Sequence, residues 1–259
     1  MRVVTLGDLI LDVIVRLDEP LAPGADRVAE TRVGAGGQAA NVAAWAAALG
    51  ADARYVGKRG ADAAGELATR ELAAHGVEVA GPVEGRNGVV VSIAAAADRT
   101  MASDRGSAVE LRADELDSHW FRCDALHVSG YALHREPMAA AAVLAADIAR
   151  HEGARVSVDL GAWTGIDDAF RARLAELAPD LLFADERERD ALGPFDASWV
   201  VKRGADGIVV DGNPYAALPV DVVDTTGAGD ALAAGFLVGG PGLGLEAARR
   251  CCAKLGAMP

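Results

Sequence analysis

The chain predicts an α/β fold, a three-layer αβα sandwich with a mainly parallel central sheet and a small β lid, and three observations lead there. Short apolar runs alternate with Ala-rich helical stretches along most of the 259 residues. Two stretches, 11–33 and 86–103, break that rhythm with Val, Arg, Thr and turn residues. The hydrophobic share of 51% and charged share of 24% are those of an ordinary globular protein long enough to bury a sizeable core.

Strand-like runs are VVTL at 3–6, ARYVG at 53–57, ALHVSG at 125–130, RVSVDL at 155–160, DLLFA at 180–184 and WVVKRG at 199–204. Helical segments lie between them at 41–49, 66–75, 137–150, 167–177 and 185–192. Strands alternating with helices of this length predict right-handed βαβ units, in which ligands sit beyond the C-terminal ends of the strands. The turn sequences PLAPGAD and EGRNG make 11–33 and 86–103 β-hairpins or paired strands projecting as a lid on one domain spanning 1–259.

Lys and Arg number 25 against 38 Asp and Glu, a net charge of −13 that repels nucleic acid and anionic membrane surfaces. An anionic nucleotide can still bind if backbone amides, a helix N-terminus or a metal ion supply local positive potential. Three cysteines, Cys123, Cys251 and Cys252, make no disulfide framework. The opening MRVVTLGDLILDVIV interrupts its apolar residues with Asp8 and Asp12, unlike a signal peptide, and a reducing cytoplasm is expected. The five histidines show neither HxH nor HExxH spacing, and GxSxG is absent, which argues against a metallohydrolase or a serine hydrolase.

The string with most chemistry is Asp224-Thr225-Thr226-Gly227-Ala228-Gly229-Asp230, followed by the helical run ALAAGFLVG. Glycines flanking an alanine just before a helix let the N–H groups of Gly227 to Asp230 converge on an anion, with the helix dipole adding to their field. Asp230 then stands beside the bound phosphate, where a carboxylate can accept the proton of an attacking hydroxyl. Near the N-terminus, Gly34-Ala35-Gly36-Gly37-Gln38-Ala39-Ala40-Asn41 lets a ligand approach the main chain at the glycines and offers Asn41 as both donor and acceptor. Asp12, in the otherwise apolar GDLILD stretch, needs partners or a ligand. Val56 to Gly65 misses the GxxxxGK[ST] spacing, because Arg59 stands where the hydroxyl should be, and a Walker-type ATPase is rejected.

Together the DTTGAGD string and the GGxxxN stretch resemble the signatures of the ribokinase-like, or PfkB, carbohydrate kinase family. The resemblance implies ATP-dependent phosphorylation of a hydroxyl of a sugar, sugar acid or nucleoside, with Asp230 as catalytic base and Gly227, Ala228 and Gly229 as the anion hole. It implies substrate contacts at Asp12, Gly36, Gly37 and Asn41, and at Arg99 or Arg105 in the lid, since Arg suits bidentate capture of a carboxylate. KRGADG is similar to the nucleotide-side GxxG turn, so Lys202, Gly204 and Gly207, with Thr225 and Asp185, are expected at ATP. Glu188 in FADERE matches an acid that organises Mg²⁺ through water, while Asp185 replaces the family's Asn. A monovalent cation such as K⁺ near Asp224 to Thr226 and a homodimer through the lid also follow from the resemblance. The rivals are a nucleoside kinase of the same fold and a catalytically silent sugar sensor.

Overall fold

The computed structural model describes residues 1–24, 26–95 and 98–259, the side chains of 95, 98 and 99 excepted. In chain order the elements are β1 (Arg2–Leu6), β2 (Ile10–Leu17), β3 (Ala29–Gly36), α1 (Gln38–Ala48), β4 (Asp52–Val56), α2 (Ala63–Ala74), β5 (Glu78–Ala80), β6 (Asn87–Ala95), β7 (Asp98–Gly106), β8 (Ala125–Ser129), α3 (Met138–His151), β9 (Arg155–Asp159), α4 (Asp168–Leu177), β10 (Leu181–Asp185), α5 (Glu186–Leu192), β11 (Ser198–Lys202), β12 (Ile208–Val210), β13 (Asn213–Tyr215) and α6 (Ala228–Cys252).

A nine-stranded sheet runs β13-β12-β11-β10-β9-β8-β1-β4-β5. Its neighbours pair in parallel from β5 to β11, and β12 and β13 close one edge as an antiparallel hairpin. β1 is buried from Val3 to Leu6, as expected of a strand covered on both faces. One helical layer packs Ala39, Trp45, Leu72, Ala231 and Ala234 against the sheet, and the other packs Met138, Phe170, Leu174 and Leu192. In α3, Ala141, Ala142, Ala145, Ala146 and Ala149 are buried, so small side chains, not aromatics, set the close approach of helix to sheet.

The predicted strands and helices are present, with shifted ends. α2 starts at Ala63 and not near 66, because the Asp62 side chain caps it by accepting from the Gly65 N–H at 2.9 Å. The short strands β5, β12 and β13 were not foreseen, since three residues show no readable period. The lid is a separate four-stranded sheet, β3-β2-β6-β7, whose last strand runs to Gly106, beyond the expected 103. β2 pairs in parallel with β6, so the two hairpins form one continuous sheet.

α6 is long and apolar enough to cross a membrane by length and composition alone. Its backbone is non-helical at Gly239 and Gly240, just before Pro241, and Ala231, Leu232, Ala233 and Ala234 are buried in the core. That makes it two stacked segments of a core layer.

Candidate active site

The sheet delivers its chemistry at one end. Asp8 follows β1, Ser129 and Asp159 end β8 and β9, and Lys202 ends β11. Over these ends stand the N-termini of α1 and α6, and the lid strands lie across them. A cavity of about 350 Å³ is lined by Asp8, Asp12, Gly37, Asn41, Arg105 and Tyr131, and also by Asp159, Glu188, Lys202, Gly227 and Asp230.

Asp230 lies in the first turn of α6. The Asn41 Nδ2 donates to its Oδ2 at 2.7 Å, joining residues 189 positions apart. Asn41 is 6% exposed, and its Oδ1 has no partner among the described residues, leaving a buried acceptor beside the carboxylate. Burial first, and then the neighbouring Asp159, push the Asp230 carboxyl up to about 8.

Behind Asp230 sits a largely buried ion pair. The Lys202 Nζ donates to both oxygens of Asp159 at 2.9 Å, and Asp159 is fully buried. Burial pulls the ammonium down, but Asp159 and then Glu188 outweigh it, so the Lys202 pKa is raised and its charge is secure. A side chain on Gly229 would meet the Lys202 ammonium at 3.4 Å, so this cation lies against the start of α6.

At that start, Gly227 takes φ 76°, a left-handed conformation, and a Cβ there would collide with Ala257. The Ala228 N–H turns back to donate to the Thr225 carbonyl at 3.2 Å. Ala228 therefore differs from the expected set of converging donors, and the amides of Gly229 and Asp230 open the helix. Asp224 holds the loop from below: its Oδ1 accepts from the Thr226 N–H at 2.9 Å and hydroxyl at 2.6 Å, and its Oδ2 from the Gly256 N–H at 3.0 Å.

On the opposite wall, a Cβ at Gly36 would overlap the Asp12 carboxylate, so glycine lets that side chain lie along β3. Gly37 takes φ 103° and packs on the Asp8 carbonyl. Arg105 Nη1 donates to Asp8 Oδ2 at 2.5 Å, and its guanidinium lies 4.1 Å from the Tyr131 ring centroid. The Ser129 hydroxyl donates to Gln38 Oε1 at 2.6 Å. The Arg99 side chain lies outside the described residues.

Asp185, Gly204, Gly207 and Thr225 do not line this cavity. Asp185 caps α5, accepting from the Glu188 N–H at 2.7 Å while the Glu188 carboxylate accepts from the Asp185 N–H at 2.7 Å. Gly204 and Gly207 form a turn closed by the Arg203 N–H on the Gly207 carbonyl at 2.8 Å. Glu188 is 6% exposed, with its pKa raised mainly by burial, and it faces the cavity at the Lys202 and Asp159 pair. One buried acid without further protein ligands fits Mg²⁺, which keeps several waters and is completed by phosphate oxygens. No cluster of three or more His, Cys, Asp or Glu suited to a metal occurs among the described residues.

Asp8, Asp159 and Tyr131 were not predicted as site residues. Asp159 had a readable signal, an acid closing the predicted strand RVSVDL, whereas the stacking of Tyr131 under Arg105 exists only once lid and core meet.

A carboxylate poised as a base, a helix start facing it and a lidded polar cavity make an arrangement for moving an anionic group onto a hydroxyl. Comparison with known proteins agrees. An ATP-dependent ribose-1-phosphate kinase from Halopiger xanaduensis is 36% identical, over 92% of this chain and 84% of its own length. A 5-dehydro-2-deoxygluconokinase from Geobacillus kaustophilus is 28% identical, over 79% of this chain and 72% of its own. The solved adenosine kinase from Sinorhizobium meliloti superposes with a TM-score of 0.84 at 25% identity, over 99% of this chain and 95% of that one. The pfkB carbohydrate kinase family model matches residues 1–257, and the chain belongs to that family as an ATP-dependent sugar kinase.

Proposed function

We propose that the chain phosphorylates a hydroxyl of a sugar or sugar derivative, with Asp230 as general base. The observation that supports this best is the half-buried Asp230 carboxylate, oriented by Asn41 at 2.7 Å and pushed up to about 8. A carboxylate of ordinary basicity is a poor acceptor for a hydroxyl proton, and one titrating near the working pH is a better one. Asn41 holds Asp230 with its amide and offers its unpartnered Oδ1 to a second substrate hydroxyl. Asp12, Gly36, Gly37 and Arg105 complete the substrate wall, and Arg99 is assigned to it from the sequence.

As the acceptor oxygen bonds to the γ-phosphorus of ATP, the bond from that phosphorus to the β-phosphate oxygen breaks, ADP leaves, and the hydroxyl proton passes to Asp230. The charge growing on the transferred group meets the amides of Gly229 and Asp230, the positive end of α6 and the Lys202 ammonium. Gly227 keeps the backbone open to that group. Asp185, Gly204, Gly207 and Thr225 are assigned to the nucleotide side, with Glu188 holding Mg²⁺ through water. The ion, when bound, neutralises phosphate charge. K⁺ beneath the Asp224 to Thr226 loop belongs to the same proposal.

The nucleoside alternative is less well supported. Tyr131 is the one Phe, Tyr or Trp lining the cavity among the described residues, and Arg105 already stacks on one face of its ring, which competes with a base for that platform. We also propose a cytoplasmic homodimer through the lid. Asp12 and Ile14 line the cavity, so the alternation of β2 turns Leu11, Val13 and Val15 to the outer face, where the register adds Val89, Val91 and Ile93. All six are only half-buried, as an apolar face awaiting a partner would be.

The test is ADP release with ribose, fructose, ribose 1-phosphate, gluconate and adenosine across pH 6 to 9. A sugar or sugar derivative should be turned over, with kcat rising through about pH 8 as Asp230 loses its proton. Faster turnover of adenosine than of every sugar, or a flat profile with chemistry rate-limiting, overturns the assignment.

A further inference from the structure

A second cavity of about 360 Å³ adjoins the reaction cavity and shares Asp8, Arg105 and Tyr131 with it. Its far walls come from the loop after β8, with His134 and Arg135, and from the loop after β9, with Thr164 and Asp167. The stacked Arg105 and Tyr131 therefore stand between two compartments of nearly equal size.

The two differ in charge. Six carboxylates line the reaction cavity against three basic side chains, Arg32, Arg105 and Lys202, and the anion site at the start of α6 is taken by the transferred group, so a second anionic group on the sugar is disfavoured there. In the second cavity the carboxylates are Asp8 and Asp167. Asp8 is paired with Arg105, and Asp167 caps α4 by accepting from the Phe170 N–H at 2.8 Å. His134 packs against Phe170 with ring centroids 5.2 Å apart and is held neutral at pH 7 chiefly by burial. Arg135 is exposed, and among the described residues its guanidinium has no hydrogen bond or ion pair. One unengaged cation thus faces a cavity whose own carboxylates are already engaged.

We propose that this second cavity receives an anionic substituent, a phosphate or carboxylate, at the end of the sugar remote from the hydroxyl that is phosphorylated. Arg135 binds it in bidentate fashion, the Thr164 hydroxyl adds a donor, and Arg105 is the shared wall along which the sugar passes between compartments. The inference rests on the sugar-kinase assignment above and names its substrate class as anionic sugars.

The experiment compares ribose, ribose 1-phosphate and gluconate as acceptors for the wild type and Arg135→Ala. The ratio of kcat/KM for the preferred anionic sugar over ribose is expected to fall about 10- to 100-fold in the variant, the loss of one charge-assisted contact. The two acids tell phosphate from carboxylate. A wild type that prefers ribose to both, or a ratio that Arg135→Ala leaves within twofold, overturns the inference. Calorimetric binding of the same three sugars reads the cavity without turnover: an anionic sugar bound tighter than ribose, with the advantage lost in Arg135→Ala, supports it, and no such advantage overturns it. A protein that binds these sugars but phosphorylates none overturns the kinase assignment alone.

Discussion

Asp230→Asn is expected to lower turnover and raise stability at once. Burial and Asp159 push the Asp230 carboxyl from 3.8 to about 8. Between those values the folded chain holds a proton that the unfolded chain releases, so this group destabilises the fold increasingly as pH rises through the window. At pH 7 the window spans about three units at roughly 1.4 kcal/mol each, or about 4 kcal/mol. An uncharged isostere of the same shape relieves that penalty. Asparagine keeps an acceptor for the Asn41 amide. For a chain of this size the gain corresponds to a rise in Tm of about 5 to 10 °C at pH 7, shrinking toward zero near pH 4. Turnover should fall about 10²- to 10⁴-fold because the amide accepts no proton. Thermal unfolding at pH 7 and pH 4.5, beside ADP release, checks both limbs. A variant less stable than the wild type at pH 7, or one with near-normal turnover, refutes the reasoning.

Lys202→Met strands the buried Asp159 carboxylate and should cost about 3 to 5 kcal/mol in urea unfolding, whereas the double variant with Asp159→Asn should recover most of that stability without recovering activity. A double variant less stable than Lys202→Met would show that the pair is not the source of the loss. Asn41→Ala removes the donor that lowers the Asp230 pKa, so the acid limb of the kcat profile should move up by about one pH unit; an unmoved limb excludes Asn41 from positioning the base. His127 is fully buried and held neutral, pushed by burial from 6.5 down to about 4, so its stabilising effect is whole above pH 6.5 and lost as pH falls toward 4. Wild-type stability should therefore drop by about 3 kcal/mol more than that of His127→Gln over that window, and an equally steep loss in the variant would assign the acid lability elsewhere.

Layer architecture, strand direction and the family were legible in the sequence because each depends on local pattern. RVSVDL and DLLFA are strands by apolar run and length alone, and α3 is a helix by its alanines. DTTGAGD announces an anion-binding turn because a left-handed Gly227 and a helix start are properties of neighbouring residues. Pairings between distant segments were not legible. Nothing local links Asn41 to Asp230, Lys202 to Asp159, or Arg105 to Asp8 and Tyr131; the first pair meets where the starts of α1 and α6 converge, the second across the ends of β9 and β11 with β10 between them, and the third where the lid closes over the core. The pKa of Asp230 and the division of the substrate site into two compartments belong to tertiary structure for the same physical reason. Burial and Coulomb interaction act through space, and a one-dimensional pattern does not encode which charges come to share it.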